Sequence, residues 1–145
     1  EDYEKESGIH VNQEVYDVPE EMYNKITAGA SQDDVIGSLD YLVQRMIQED
    51  RLEKIDFNNV PNMSKIAADH LGKSFDPENE YSVPYMSGTI GICYNTDYVS
   101  EPVDSWTVLW DPQYKKNVLL LDGVRDSLGA VLKMQGYSLN TTDKK

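Results

Sequence analysis

Several features are scarce in this chain, and each scarcity excludes a class of protein. The 145 residues include a single cysteine, Cys93, so no internal disulfide can form and no second thiol is available for a metal site. No run approaches the roughly 20 apolar residues that a membrane-spanning helix needs. No signal peptide is predicted, because the chain has no charged start followed by an apolar run. We therefore expect a soluble chain, mature or trimmed, with Cys93 as a small buried hydrophobe.

Basic residues are also scarce relative to acidic ones. Thirteen Lys and Arg stand against 26 Asp and Glu, which gives a formal net charge of -13. Such a surface repels phosphate backbones and anionic lipids, and it attracts cations. An acidic surface also keeps a protein dispersed in water, which is the simpler explanation of the charge. Nucleic acid is not an expected partner.

Strand-like runs alternate with helical patterns in the first third of the chain. Residues 9–16 and 35–36 are predicted to be short strands. Each precedes a segment with apolar residues at helical spacing, the first ended by Gly29 and the second capped by Asp40. The predicted inward positions of these helices are Met22, Tyr23, Ile26, Leu42, Val43, Met46 and Ile47. This alternation is typical of βα units on a parallel sheet.

Two further elements are predicted near the end of the chain. The continuous apolar run at residues 118–121 predicts a buried strand. A helix is predicted from about residue 126 to residue 135, and Asp126 can serve as its N-cap. The inner face of that helix is marked by Leu128, Val131 and Leu132.

The stretch SVPYMSGTIGICYN, residues 82–95, joins two β-prone runs at Ser87-Gly88 with no room for a helix between them. The local pattern alone predicts an antiparallel hairpin that turns there. Tyr85 and Tyr94 flank this point. Such tyrosines are more often core residues, although an aromatic face can attract an alkylammonium group by cation–π contact.

Residues 76–79 are predicted to be a turn by composition. Asp76, Glu78 and Glu80 imitate the start of a calcium loop. Tyr81 stands where that loop needs its glycine, and Ser87 stands where it needs a bidentate Glu. We therefore expect no metal.

Three runs together resemble the polyamine-binding proteins of bacterial ABC importers. PENEYSVPYMSGTIGICYNT is similar to the segment that crosses between lobes in that family. DVIGSLDYLVQRMIQEDRLEKID and VLLLDGVRDSLGAVLKMQGYSLNTTD agree with the family at compatible spacing. The resemblance implies a type 2 periplasmic-binding-protein architecture, α/β with parallel-rich sheets and flanking helices. It covers part of the family's usual chain: residues 1–88 as the first lobe without its first strand, and residues 89–145 as the lobe crossing and the beginning of the second lobe.

The resemblance implies capture of spermidine or putrescine outside the cytoplasmic membrane, in the periplasm or as a lipoprotein on its outer face. Delivery to an ABC permease would follow, with no catalysis and no cofactor. Two alternatives remain open: the same fold binding an amino acid, sugar or iron, and a hydrolase that uses Asp122 and Asp126. A missing sheet neighbour would leave an open strand edge, so a homodimer or strand exchange of this chain is also expected.

The turn Gly37-Ser38-Leu39-Asp40-Tyr41 follows a predicted strand and opens a helix. Ligands bind at such places in open α/β sheets. The matching run in the polyamine-binding family is similar to VPSDY, whose Ser and Tyr line the pocket. The resemblance assigns Tyr41 to the tyrosine position and Asp40 to the residue before it, while Ser38 lies one place before the serine position. Tyr41, Asp40 and Ser38 are therefore candidate ligand residues.

The turn Asp122-Gly123-Val124-Arg125-Asp126 is the second candidate. The family pattern resembles DDxRE, whose acids grip an ammonium group of the ligand. Asp122 matches the first acid, Gly123 replaces the second, and Asp126 matches the last. A carboxylate is the natural acceptor for ammonium, because a charge-assisted hydrogen bond is about twice as strong as a neutral one.

Overall fold

The computed structural model describes residues 2–141. Within this range the α-helices are α1 (Asp2–Ser7), α2 (Pro19–Thr27), α3 (Asp40–Gln48) and α4 (Val124–Met134). Short 3-10 helices cover Phe57–Asn59, Pro61–Lys65, Ala68–His70, Trp106–Trp110 and Pro112–Tyr114. The chain divides into two compact units between Met86 and Ser87.

The local sequence explains where α2 begins and ends. Pro19 takes the first helical position, where its missing N–H would have had no intrahelical partner. Glu20 and Glu21 follow in the first turn, at the positive end of the helix dipole. Gly29 has a φ of 70°, in the left-handed region that commonly ends a helix.

The core of the first unit is built from α2 and α3. Its buried side chains are Met22, Tyr23, Leu42 and Met46. The partly buried side chains packed against them are Tyr16, Ile26, Ile36, Tyr41 and Leu52. Helical spacing predicted the inward faces of both helices, and that prediction is confirmed at all four buried positions. Burial of a large apolar side chain contributes about 1.5–3 kcal/mol, so this small cluster holds the two helices together.

A charged network ties α2 to the end of α3. Both carboxylate oxygens of Glu49 accept from the Tyr23 hydroxyl, at 2.8 and 2.7 Å. Arg45 Nε and Arg51 Nε also donate to Glu49, at 2.9 and 3.0 Å. These hydrogen bonds, the one from Tyr23 first and then the one from Arg45, lower the pKa of Glu49 from 4.5 to about 2.

A buried aspartate shapes the turn at residues 76–79. Asp76 is only 4% exposed. Its carboxylate accepts from the backbone N–H groups of Glu80 and Tyr81, both at 3.0 Å, and from Ser82 Oγ at 2.7 Å. The predicted turn is therefore confirmed, and its charged side chain is fully engaged by local donors.

Residues 2–141 contain no β-strand, so the α/β sheets expected from the sequence are not confirmed there. The hairpin predicted at Ser87-Gly88 does not form. The buried strand predicted at residues 118–121 is wrong, since Leu119 is 91% exposed. Cys93 is also exposed, so its predicted burial is wrong. A strand needs a second strand to satisfy its backbone groups and cover its side chains, and no such pairing forms in this part of the chain.

In the second unit, α4 packs against the 3-10 helix Trp106–Trp110. Ser105 caps that 3-10 helix as its side chain accepts from the N–H of Thr107 at 3.3 Å. The buried residues of α4 are Gly129 and Ala130. Leu128, which helical spacing placed on the inner face, is 60% exposed.

Candidate functional site

Tyr41 combines a core contact with a polar contact. It is the second residue of α3, and its half-buried ring packs against the core of the first unit. Its hydroxyl donates to Glu20 Oε1 at 2.6 Å. Glu20 lies in the first turn of α2, so this hydrogen bond fixes the polar end of the ring. The role of Tyr41 as a pocket residue stays a prediction.

Ser38 and Asp40 lie on either side of the α3 N-cap, which is Leu39. Asp40 is exposed, and its Oδ1 accepts from the N–H of Tyr41 at 2.7 Å. The Ser38 hydroxyl is buried and makes no hydrogen bond within residues 2–141. A buried hydroxyl without a partner is costly, and the role of Ser38 as a ligand residue stays a prediction.

Asp126 is half-buried at the third position of α4, and Asp122 is exposed just before the helix. The N-cap is Gly123, so the prediction that Asp126 caps the helix is wrong. The reason is that α4 begins two residues earlier than its apolar spacing indicated. At the third position a carboxylate still lies within the first turn, where the helix dipole favours negative charge.

Hydrogen bonds fix the turn before α4. Ser127 Oγ donates to the carbonyl of Leu121 at 2.8 Å, and the Ser127 N–H donates to the carbonyl of Gly123 at 3.0 Å. Arg125 Nη2 donates to Asn140 Oδ1 at 2.8 Å. The backbone that carries Asp122 and Gly123 is therefore held against the helix.

Sequence reasoning missed Glu20 as a partner of a candidate ligand residue. It lies 21 residues from Tyr41 in the chain, and no periodic pattern links positions that far apart. Two surface depressions in the second unit, of about 190 and 270 Å³, include none of the predicted ligand residues. The acidic residues that line these depressions are Glu101, Asp104 and Asp111.

Within residues 2–141, no group of three or more His, Cys, Asp or Glu side chains is arranged to hold a metal ion. No helix in the same range is both long enough and apolar enough to cross a membrane.

Residues 1–145 match the family of bacterial extracellular solute-binding proteins. The chain belongs to this family. The resemblance noted in the sequence is thereby confirmed, and so is the expected location outside the cytoplasm.

The chain is similar, over nearly its whole length, to solute-binding proteins that are named after polyamines. The chain is 40% identical to the spermidine/putrescine-binding periplasmic protein of Escherichia coli (strain K12), covering 100% of this chain and 42% of that relative. It is 36% identical to the putrescine/cadaverine-binding protein of Pseudomonas aeruginosa, covering 97% and 42%. The chain thus spans about two fifths of the length of these relatives.

The backbone of this chain also matches solved structures of spermidine/putrescine ABC transporter proteins. A Listeria monocytogenes structure described as a spermidine/putrescine ABC transporter matches with a TM-score of 0.90 at 38% identity, over 99% of this chain and 45% of that one. The spermidine/putrescine ABC transporter substrate-binding protein of Streptococcus pneumoniae matches with a TM-score of 0.77 at 38% identity, over 99% and 44%. Both matches are consistent with a periplasmic-binding-protein fold.

Proposed function

We propose that the protein captures spermidine or putrescine outside the cytoplasmic membrane and delivers it to an ABC permease. The observation that carries this proposal is the 40% identity to a spermidine/putrescine-binding protein along the entire chain. The protein acts by binding and release, so it catalyses no reaction and needs no cofactor.

The chemistry of the candidate residues supports a cationic ligand. Aliphatic amines resemble the Lys side chain, whose pKa is about 10.4, so polyamines are cations at neutral pH. Asp126 is the main proposed ammonium acceptor, since it is half-buried and a partly desolvated carboxylate forms a stronger charge-assisted bond. Asp122 adds exposed negative charge four residues before Asp126 in the chain, and Asp40 adds exposed negative charge next to Tyr41. Tyr41 supplies a fixed aromatic face, and Ser38 supplies a hydroxyl.

We also propose that the α/β sheets form in the full-length protein. Their strands would be the predicted runs at residues 9–16, 35–36, 82–95 and 118–121. These runs expose large apolar side chains, with Val35 at 89% and Tyr85 at 94%, and exposed apolar surface on this scale marks a contact with another segment. Relatives are more than twice as long as this chain, which leaves enough polypeptide to supply neighbouring strands.

On this basis residues 1–88 belong to the first lobe, and residues 89–145 form the lobe crossing and the beginning of the second. The same exposed runs favour a homodimer or strand exchange when the 145-residue chain is isolated, because unpaired strand edges pair with other chains.

The proposal is tested by ligand-induced thermal stabilisation of the full-length protein. Spermidine and putrescine should raise the melting temperature, because a ligand that binds only the folded state stabilises it. 1,4-Butanediol is the matched control, since it keeps the four-carbon chain of putrescine but carries no charge. Stabilisation by an amino acid, a sugar or ferric iron, without any by polyamines, would contradict the proposal.

Asp126→Asn should weaken spermidine binding by roughly tenfold to a hundredfold, the range for a lost hydrogen bond to a charged group. Asp69→Asn is the matched control, because the Asp69 side chain is 80% exposed and lies far from the candidate residues in sequence. Equal affinity of both variants and the wild type, with intact folds, would remove Asp126 from the site.

A further inference from the structure

The carboxylate of Asp126 occupies the space that a side chain at position 123 would need. A Cβ atom built on Gly123 would lie closer than 3.0 Å to Asp126 Oδ2, a separation that real Cβ atoms essentially never show. It would also lie 3.3 Å from Asp126 Cγ. The side chain of Asp126 therefore folds back over the N-cap residue, and only glycine at position 123 permits this arrangement.

Backbone conformation does not require this glycine. Gly123 has φ of −125° and ψ of 128°, a region open to every residue type. Alanine can adopt the same backbone without strain. The three nearest atoms that an added Cβ would meet all belong to Asp126, so its main consequence is a collision with the Asp126 carboxylate.

The collision would be relieved by the side chain and not by the turn. The carbonyls of Leu121 and Gly123 are both bonded to Ser127, at 2.8 and 3.0 Å, so the backbone on both sides of the turn is tied to α4. The carboxylate of Asp126 is instead the far end of a rotatable side chain. A methyl group at position 123 would force the Asp126 carboxylate to rotate away, although Asp126 would keep its negative charge.

We propose that Gly123 is a positioning residue for the polyamine site. It leaves the space in which the Asp126 carboxylate is held over the start of α4, in the orientation that accepts the ammonium group. This inference rests on the proposed function. It adds that affinity depends on where the carboxylate points as well as on its presence, because a charge-assisted hydrogen bond requires close, aligned partners.

The test is a double-mutant cycle in the full-length protein, with spermidine affinity measured by calorimetry. Gly123→Ala should weaken binding on the order of tenfold, the lower end of the range for a lost hydrogen bond to a charged group. In the Asp126→Asn background, Gly123→Ala should have no further effect, since the carboxylate is already gone. Val124→Ala is the neighbouring control, because the Val124 side chain is 64% exposed, and this variant should bind like the wild type.

Two further readouts separate positioning from a general loss of structure. The melting temperature of unliganded Gly123→Ala should match that of the wild type. The Asp126 side-chain carboxyl carbon, followed by NMR, should shift on spermidine addition in the wild type and not in Gly123→Ala.

The outcomes distinguish the inference from the proposed function. Spermidine binding by the wild type with unchanged affinity in Gly123→Ala would overturn the inference alone. Additive losses in the two single variants would do the same, because they would make position 123 independent of Asp126. Failure of the wild type to bind any polyamine would overturn the proposed function, and the inference with it.

Discussion

Replacing Asp76 should destabilise the first unit in two graded steps. Its buried carboxylate accepts three hydrogen bonds, one at Oδ1 from Glu80 and two at Oδ2 from Tyr81 and Ser82. In Asp76→Asn the best amide orientation keeps the oxygen toward Tyr81 and Ser82 and turns the NH₂ group toward the Glu80 N–H. One backbone donor then loses its acceptor, at a cost of about 1–3 kcal/mol.

Asp76→Ala removes all three bonds and leaves two backbone N–H groups without an acceptor, while the Ser82 hydroxyl can rotate to water. The free energy of unfolding should then fall by about 2–5 kcal/mol, since each of the two stranded donors costs about 1–3 kcal/mol and partial exposure reduces the sum. The predicted order of stability is wild type, Asp76→Asn, Asp76→Ala.

Urea denaturation of the full-length protein measures these differences. Asp69→Asn serves as the control for loss of one acidic charge, and it should change stability by less than about 0.5 kcal/mol because its side chain is exposed. If Asp76→Asn were as stable as Asp69→Asn, the hydrogen bonds of the Asp76 carboxylate would not be what holds the turn.

Two more predictions concern the contacts between α2 and α3. Glu49 has a folded pKa of about 2, below its unfolded value of 4.5, so its contribution is fully present above pH 4.5 and is lost as pH falls toward 2. The melting-temperature gap between wild type and Glu49→Gln should therefore close across that window, and a gap that is constant with pH would contradict it. Tyr41→Phe keeps the ring on the core but removes the bond to Glu20, so it should cost about 1 kcal/mol in urea denaturation. Glu20→Gln in the Tyr41→Phe background should then add nothing, and a full additional loss would show that the two side chains act separately.

Helices were predictable from the sequence because their hydrogen bonds and side-chain contacts are local. The spacing of Met22, Leu42 and Met46 was enough to place them in the core. Glycine at position 29 marked the end of α2 for the same reason, since its left-handed backbone is a property of a few adjacent residues.

The sequence could not show whether the predicted strands form, because a strand depends on a pairing partner that local patterns do not identify. Residues 118–121 carry a strand-like pattern, yet Leu119 stays exposed where no neighbouring strand covers it. The start of α4 was predicted two residues late because an acidic residue suits an N-cap and Asp126 was given that role, whereas the N-cap is Gly123.

The candidate site was only partly predictable for a similar reason. Tyr41 and Asp126 are candidates that come from family patterns, whereas the approach of Tyr41 to Glu20 and of Asp126 to Gly123 depends on the direction of their side chains. The replacement of an acid by Gly123 looked like a loss from the family pattern. In the structure, the absence of a side chain at position 123 leaves room for the Asp126 carboxylate.

The most direct test of polyamine capture is a calorimetric titration of the full-length protein with spermidine and putrescine, with succinate as an anion that has four carbons like putrescine. We expect saturable spermidine binding that weakens as salt is raised, because salt screens the attraction between the ammonium groups and the acidic site. We expect no binding of succinate, which Asp122 and Asp126 would repel. Binding of succinate, or the absence of any heat of spermidine binding by the folded protein, would contradict the proposed capture of polyamines.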